Sequence, residues 1–469
     1  MRMLTTISRH NGLIKHLAFS PDQTLLATCG WDGMAVVSNA DEIKTPKFNL
    51  KHTNEEAPTE LQPFQNPLFG KNSAGELRVR EVAWSPDSTM LATRTRTKVW
   101  VWNMKDGTLL GSIQVGRGRS IKSIAWSWKV ETIKPVNNAP EQTHWQSKAT
   151  LKPQTKILEK SQILVVIGHT YEPTGTYVIH YDYSKLQGTQ STQDMRAFNK
   201  ETPIENMMIT SMATVNDCSI PDAGSFGVSG AKNATMPATN NPNTLTHHSN
   251  SMVNDDLLIG VGVDTKNNPN IEAEQFLFLY NFISGEFLCS SPLSGKVHNV
   301  SVTVPKKNVA HVLVTYTGQA AYPQLWEIKV RPDRKQYHIV RIRTYFSGVT
   351  SNFSGRGCFG GPDDIYVCCS SRDSKIFIWN RETGVLLSTI LHVGKEQLQL
   401  KSFTCNKLAG PEFLCAFGAM NGILGVWSTR NVERASSAYS IPLDSDQQHQ
   451  PILSSPEPLF SEEEYTDYI

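Results

Sequence analysis

The sequence predicts an all-β fold, a single propeller of seven four-stranded units closed into a ring. Three observations predict it: a repeated pattern of short strands and turns, the near absence of helical periodicity, and a strand type ending in Trp that recurs along the chain. The 469 residues carry a formal net charge of +2, so overall charge favours neither nucleic acid nor an acidic membrane surface as a partner.

One pattern of strand, turn and strand occurs twice near the N-terminus. Residues 13–39 and 77–103 each carry an alternating apolar run, then Ser-Pro-Asp, then Leu-Ala-Thr and a second β-rich run. In such turns Pro presets φ and Asp accepts hydrogen bonds from nearby backbone. Strands rich in β-branched and aromatic residues at 367–380 and 414–428 indicate further units late in the chain.

This pattern resembles the repeats of the WD40 family, in which a strand ends in Trp-Asp and a structural Asp occupies the tight turn before it. Three Trp residues end strands at the matching place, two Asp residues stand in the matching turn, and one His stands where the family's His stabilises the outer turn. The resemblance therefore implies structural roles for His10, Asp32, Trp102, Asp373, Trp379 and Trp427. Because the match is weak in the third to fifth units, six or eight blades are alternatives to seven.

The domain organisation follows from the repeats. The propeller is predicted to span 1–431, with disordered loop insertions at about 40–74, 130–160 and 217–254, followed by a flexible acidic tail at 432–469. The WD40 resemblance implies that Met3–Ile7 form the outer strand of the last blade, which removes an open sheet edge.

No catalytic signature such as GxSxG, GxxxxGK[ST] or HExxH occurs, so the sequence predicts a protein that is not an enzyme. An enzyme or ligand-binding propeller with a site in the central channel is the less favoured alternative, because the innermost strands, as at 121–125 and 300–304, read as apolar. The eight cysteines are scattered without a CxxC pair and are interpreted as small buried hydrophobes. No metal, cofactor or catalytic residue is predicted.

A basic and aromatic rim is predicted on the face where, in the WD40 family, partners often dock. Its residues come from the start of the innermost strands and the turn between the second and third strands: Lys15, Trp31, Arg78, Arg80, Lys122 and Arg372. Trp and Arg often dominate binding hot spots, and the charge favours an acidic peptide or acidic protein surface. Scattered solvated charge is the alternative interpretation. Nucleic acid is disfavoured, because single strands require more stacking aromatics.

A closer resemblance comes from 345–380, which contains Gly-Val-Thr, Cys-Phe-Gly-Gly and Ser-x-Asp-x-Lys-Ile-x-Ile-Trp, and from Val-Ala-Trp-Ser-Pro-Asp at 82–87. These segments resemble the WD40 subunit of the GID/CTLH ubiquitin ligase, although the LisH and CTLH modules usual in that family are not expected here. The resemblance implies a substrate-receptor or scaffold subunit of a multisubunit ligase, in the cytoplasm or nucleus. A general WD40 adaptor in RNA processing, transport or signalling is the alternative. The sequence has no apolar stretch long enough to cross a membrane.

Overall fold

The computed structural model describes residues 2–52, 78–132, 158–171, 174–183, 199–204, 207–214, 257–264, 274–282, 284–306, 308–319, 321–331, 336–348, 352–353, 356–371, 374–391, 400–407 and 413–428. Within these ranges the chain forms seven four-stranded antiparallel sheets, which are the blades of a β-propeller. The predicted fold class and blade number are confirmed. No helix in the described ranges is long and apolar enough to span a membrane.

The first three blades follow chain order from the innermost strand outward, after β1 (Arg2–Ser8). Blade one contains β2 (Ile14–Phe19), β3 (Leu25–Gly30), β4 (Met34–Asn39) and β5 (Pro46–Lys51). Blade two contains β6 (Glu81–Trp84), β7 (Met90–Arg94), β8 (Lys98–Asn103) and β9 (Leu109–Gln114). Blade three contains β10 (Arg119–Thr132), β11 (Leu158–Tyr171), β12 (Thr174–Asp182) and β13 (Asn199–Ile204).

The remaining blades repeat this order. Blade four contains β14 (Met207–Thr214), β15 (Leu257–Asp264), β16 (Gln275–Asn281) and β17 (Glu286–Leu293). Blade five contains β18 (Val297–Lys306), β19 (Val309–Tyr316), β21 (Gln324–Arg331) and β22 (Gln336–Thr344), and short β20 (Gly318–Gln319) pairs with β23 (Asn352–Phe353). Blade six contains β24 (Cys358–Gly360), β25 (Tyr366–Ser370), β26 (Lys375–Asn380) and β27 (Leu386–Leu391), with a 3₁₀ helix at Pro362–Asp364. Blade seven contains β28 (Leu400–Cys405), β29 (Leu414–Ala419), β30 (Ile423–Ser428) and β1.

The N-terminal strand closes the ring. β1 pairs antiparallel with β30, so that Arg2 lies opposite Ser428 and Ser8 lies opposite Ile423. The prediction that the strand around Met3–Ile7 completes the last blade is confirmed. The backbone of β1 pairs with the N–H and C=O groups that β30 would otherwise expose to solvent.

The repeated Ser-Pro-Asp turn connects the first and second strands of a blade. In blade one the amide of Leu25 donates to Ser20 Oγ at 2.9 Å, and the amide of Thr24 donates to Asp22 Oδ1 at 3.1 Å. The same bonds recur in blade two around Ser85. Side-chain oxygens therefore satisfy the backbone donors of the turn, which explains why the motif recurs.

Aromatic residues that end the innermost strands link neighbouring blades. The indole N–H of Trp84 in blade two donates to Ala18 O in blade one, and that of Trp126 in blade three donates to Ala83 O in blade two, both at 3.0 Å. Trp126 is 1% exposed, so its ring fills space between blades while its N–H is satisfied. The core accordingly consists of apolar clusters between blades.

Strands extend into two of the predicted insertions. Within the predicted insertion at about 40–74, β5 pairs with β4 as the outermost strand of blade one. Its exposed lysines, at 47 and 51, hide the strand signal in the sequence. The insertion placed at 130–160 is bounded by a ladder in which Thr132 lies opposite Leu158. The predicted loop 217–254 and tail 432–469 lie outside the described residues.

Candidate functional site

The turn between β3 and β4 holds Trp31 beside Arg78. The carboxylate of the next residue, Asp32, accepts from the amide of Asn11 at 3.0 Å and lies 3.0 Å from His10 Nδ1. Burial raises the pKa of Asp32, but the hydrogen bonds from His10 and the backbone outweigh burial and lower it below its ordinary value. With this turn anchored, the Arg78 guanidinium carbon lies 4.3 Å from the Trp31 ring centroid, in a cation–π contact.

Blade two has a comparable anchor that the sequence reasoning did not identify. His52 Nε2 lies 2.8 Å from Thr93 Oγ1, which also accepts from the Trp102 indole N–H at 2.9 Å. His52 Nδ1 donates to Gly33 O in blade one at 2.9 Å, while burial lowers the pKa of His52 to about 4 and keeps its ring neutral. His52 was missed because it was placed inside a predicted disordered insertion.

The other predicted structural residues lie in the late blades. Trp379 is fully buried and its indole N–H donates to Phe346 O at 2.9 Å. Trp427 is 6% exposed and packs in the apolar cluster between blades six and seven. Arg372 and Asp373 lie outside the described residues, so their predicted binding and structural roles stay predictions.

A β-bulge lies near the start of the innermost strand in five described blades and carries two of the predicted rim residues. In blade one the pairing register passes from Ile14 to His16 and leaves Lys15 as the extra residue. The extra residues of the five bulges are Lys15, Lys122, Thr210, His298 and Lys401. Arg80 immediately precedes β6 at the matching place in blade two. Three predicted rim residues thus occupy equivalent positions around the channel, and Lys401 joins them.

Polar side chains of blades one, two, three and six meet near the starts of the innermost strands. Arg356 Nη1 donates to Glu81 Oε1 at 3.2 Å and lies 3.1 Å from His16 Nε2. Arg94 Nε donates to the other oxygen of Glu81 at 2.7 Å, and Ser123 Oγ donates to Oε1 at 3.2 Å. Although the innermost strands read as apolar in the sequence, His16 and Glu81 near their starts are polar and contact Arg356.

The channel mouth is electropositive. Burial raises the pKa of Glu81, but the guanidinium groups of Arg94 and Arg356 outweigh burial and lower it to about 2. Burial, with Arg356 nearby, lowers the pKa of His16 to about 3, so His16 is neutral at pH 7. The pKa of Lys15 is lowered to about 8 by burial together with the charges of four neighbouring cations: Arg356, Arg80, Arg94 and Lys401. One ionised carboxylate thus lies among several cations.

The charged residues missed in the sequence are Glu81, Arg356 and Lys401. Lys401 was detectable, because Lys15, Lys122 and Lys401 each follow a buried apolar residue near the start of an innermost strand. Glu81 and Arg356 carried no such signal, since their meeting depends on closure of the ring.

Comparison with known proteins gives short sequence matches and a fold match. The family model "WD domain, G-beta repeat" matches residues 1–37. GID complex subunit 7 of Schizosaccharomyces pombe is 47% identical over 49 residues, which is 10% of each chain. Protein HIR1 of Yarrowia lipolytica is 32% identical over 114 residues, 24% of this chain and 10% of that protein. The matches therefore cover about a tenth of the length of these relatives.

One solved structure matches nearly the whole ring. The Cps50 (Swd1) β-propeller domain of Myceliophteria thermophila superposes with a TM-score of 0.52, covering 90% of this chain and 99% of that domain. Its sequence identity of 11% means that this match describes the fold alone.

Proposed function

We propose that this protein is a non-catalytic interaction scaffold whose propeller binds an acidic peptide or an acidic protein surface on the face around Trp31. The observation that carries the proposal is the contact between Trp31 and Arg78 next to the basic bulge positions. The amide of Val79 donates to Gly30 O at 3.1 Å, which joins the Trp31 turn to the segment that carries Arg78 and Arg80. An aromatic anchor and a cationic ring are thereby held on one rigid surface.

The physical basis of binding is preorganisation. Trp31 supplies apolar contact area, while Lys15, Arg80 and Lys122 attract carboxylates. Because blade strands hold their backbones, little conformational entropy is lost when a partner binds. Arg372 belongs to the proposed rim on sequence grounds. Binding that depends on exposed cations weakens as salt rises.

A narrower proposal is that this scaffold serves in a multisubunit ubiquitin ligase, as a substrate receptor or assembly subunit in the cytoplasm or nucleus. The 49-residue similarity to GID complex subunit 7 supports it. A general WD40 adaptor in RNA processing, transport or signalling is the second candidate, supported by the match of the first repeat to the WD40 family model.

Charge reversal on the proposed face tests the scaffold proposal. A fluorescent peptide rich in Asp and Glu is titrated with the full chain and with an R78E/R80E variant. The affinity of R78E/R80E for the peptide is expected to be weaker than that of the wild type by about tenfold or more, because the variant removes hot-spot residues. The K105E/K306E variant is the matched control, since these exposed lysines lie at the opposite end of the blades, in the turn after β8 and at the end of β18. Equal affinity of the wild type and R78E/R80E would contradict the proposal.

Affinity purification of the tagged chain from cells tests the narrower proposal. We expect the wild-type chain to recover a RING or CTLH-module protein. We expect R78E/R80E, or a chain that lacks β1, to lose that protein. Recovery of RNA-processing or transport factors without any ligase subunit would favour the adaptor instead.

A further inference from the structure

Four cysteines that are scattered in the sequence lie together between blades six and seven. Cys358 lies opposite Cys368 on β24 and β25, and Cys405 lies opposite Cys415 on β28 and β29. Across the interface Cys368 shares side-chain hydrogen bonds with Cys405 and Cys415. Cysteines that only fill space in a core as small hydrophobic residues do not need to contact one another in this way.

Cys405 and Cys415 have the geometry of a cross-strand thiol pair. Their Sγ atoms are 3.0 Å apart. The amide of Asn406 donates to Leu414 O at 2.9 Å, so Asn406 and Leu414 form a hydrogen-bonded pair and the adjacent Cys405–Cys415 pair is a non-hydrogen-bonded one. In such pairs the Cα atoms are about 4.5 Å apart, which lies within the range that a disulfide bridges.

A cavity gives small molecules access to this pair. Its volume is about 160 Å³, and Cys405 and Cys358 line it together with Lys407, Gln23 and Ser301. A cavity of this size admits molecules as small as water or hydrogen peroxide. Burial raises the pKa of Cys415, but hydrogen bonds from Cys368 and Cys405 outweigh burial and lower it to about 7, so the pair supplies a thiolate near neutral pH.

We propose that Cys405 and Cys415 are a peroxide-sensitive pair that forms a reversible disulfide between the two inner strands of blade seven. Burial raises the pKa of Cys405, so the proton of the pair resides mainly on Cys405. In the minor form that holds this proton on Cys415, the Cys405 thiolate, which lines the cavity, attacks an oxygen of hydrogen peroxide. The O–O bond breaks, and the departing hydroxide takes the proton from Cys415 to give water. The Cys415 thiolate then displaces hydroxide from the Cys405 sulfenic acid, and a solvent proton completes the second water.

The peroxide is reduced and the two sulfurs are oxidised. A small thiol such as glutathione reverses the bond by thiol–disulfide exchange. The disulfide ties β28 to β29 in the blade that β1 closes.

Peptide mapping of the full chain tests the proposal. Reduced protein is treated with hydrogen peroxide, alkylated without reductant, digested and analysed by mass spectrometry. The expected product is a peptide pair joined through Cys405 and Cys415, which dithiothreitol separates. The C415A variant loses this product and accumulates more highly oxidised Cys405, whereas the matched C289A variant keeps it.

The result for the wild-type protein tests the proposed disulfide even if the C415A variant folds poorly. Full alkylation of both thiols after peroxide treatment of folded protein would overturn the proposal. So would a preferred Cys358–Cys368 linkage. Stoichiometric zinc in protein purified without chelators would also overturn it, because the thiolates would then be metal ligands.

Discussion

Arg356 of blade six donates to Glu81 of blade two across the central channel, with 3.2 Å between Nη1 and Oε1, although the residues are 275 positions apart. Arg94 and the amide of Ile124 contact the other carboxylate oxygen. Every charge in this group therefore has a hydrogen-bonded partner in a region largely shielded from water. The network therefore links blades two, three and six through buried polar contacts.

Replacing Glu81 by Gln should destabilise the fold strongly. The substitution leaves Arg94 and Arg356 without their carboxylate, and breaking a buried pair in this way costs about 3–5 kcal/mol. Chemical denaturation measures the loss. E201Q is the matched control, because Glu201 pairs with Arg119 where both side chains are at least a third exposed, and about 1 kcal/mol or less is expected there. Equal losses in the two variants would contradict the buried network.

The same carboxylate predicts acid sensitivity. Because the folded-state pKa of Glu81 is about 2, below its ordinary value, its contribution to stability is complete above the unfolded pKa of about 4.3. That contribution decreases as pH falls from about 4.3 to about 2. The wild type and E81Q should therefore converge in unfolding free energy across this window; a constant difference would contradict the prediction.

Replacing Lys15 by Met should stabilise the protein at neutral pH. The folded-state pKa of Lys15 is about 8, below its ordinary value, so the charged form is less favourable in the folded protein. Stability should rise with pH between about 8 and 10.4, because the unfolded chain binds more protons there. K15M should gain about 1–2 kcal/mol at pH 7, allowing for solvent screening, and the gain should shrink as pH rises from about 8 to about 10.4. A difference in unfolding free energy between K15M and the wild type that stays constant with pH would indicate an effect of packing alone.

Replacing Asp32 by Ala should loosen the Trp31 turn. The substitution removes the acceptor of the Asn11 amide and the partner of His10, at a cost of about 1–3 kcal/mol. Thermal unfolding measures this effect, and the binding assay with the acidic peptide measures its consequence for Trp31. D106A is the control, since Asp106 accepts from Thr108 in a similar but exposed turn and a smaller change is expected. Unchanged stability in D32A would exclude an anchoring role.

Deleting residues 2–8 should open the ring. The deletion removes β1 and leaves β30 as an unpaired edge, so the melting temperature should fall by on the order of 10 °C and aggregation should increase. A synthetic peptide with the sequence of residues 1–12, added in excess, should restore part of the loss. An unaltered melting temperature would show that closure by β1 contributes little.

Local chemistry in the sequence determined the repeat. Ser-Pro-Asp turns, alternating apolar strands and Trp-ended strands are each set by neighbours within about ten residues, so the blade type was predictable. The closing strand was implied by the resemblance to WD40 repeats. The anchoring turn around Asp32 was predictable for the same reason. The exposed outer strand β5 was not, since its polar face resembles a loop in sequence.

Only the tertiary structure decided which side chains meet. The contact between Arg356 and Glu81, the cationic group around Lys15 and the approach of Cys368 to Cys405 each bring together residues of different blades, so they depend on closure of the ring. A bulge shifts the register by one residue and thereby changes which side chains face the channel, and the alternation of the sequence does not specify where that shift occurs.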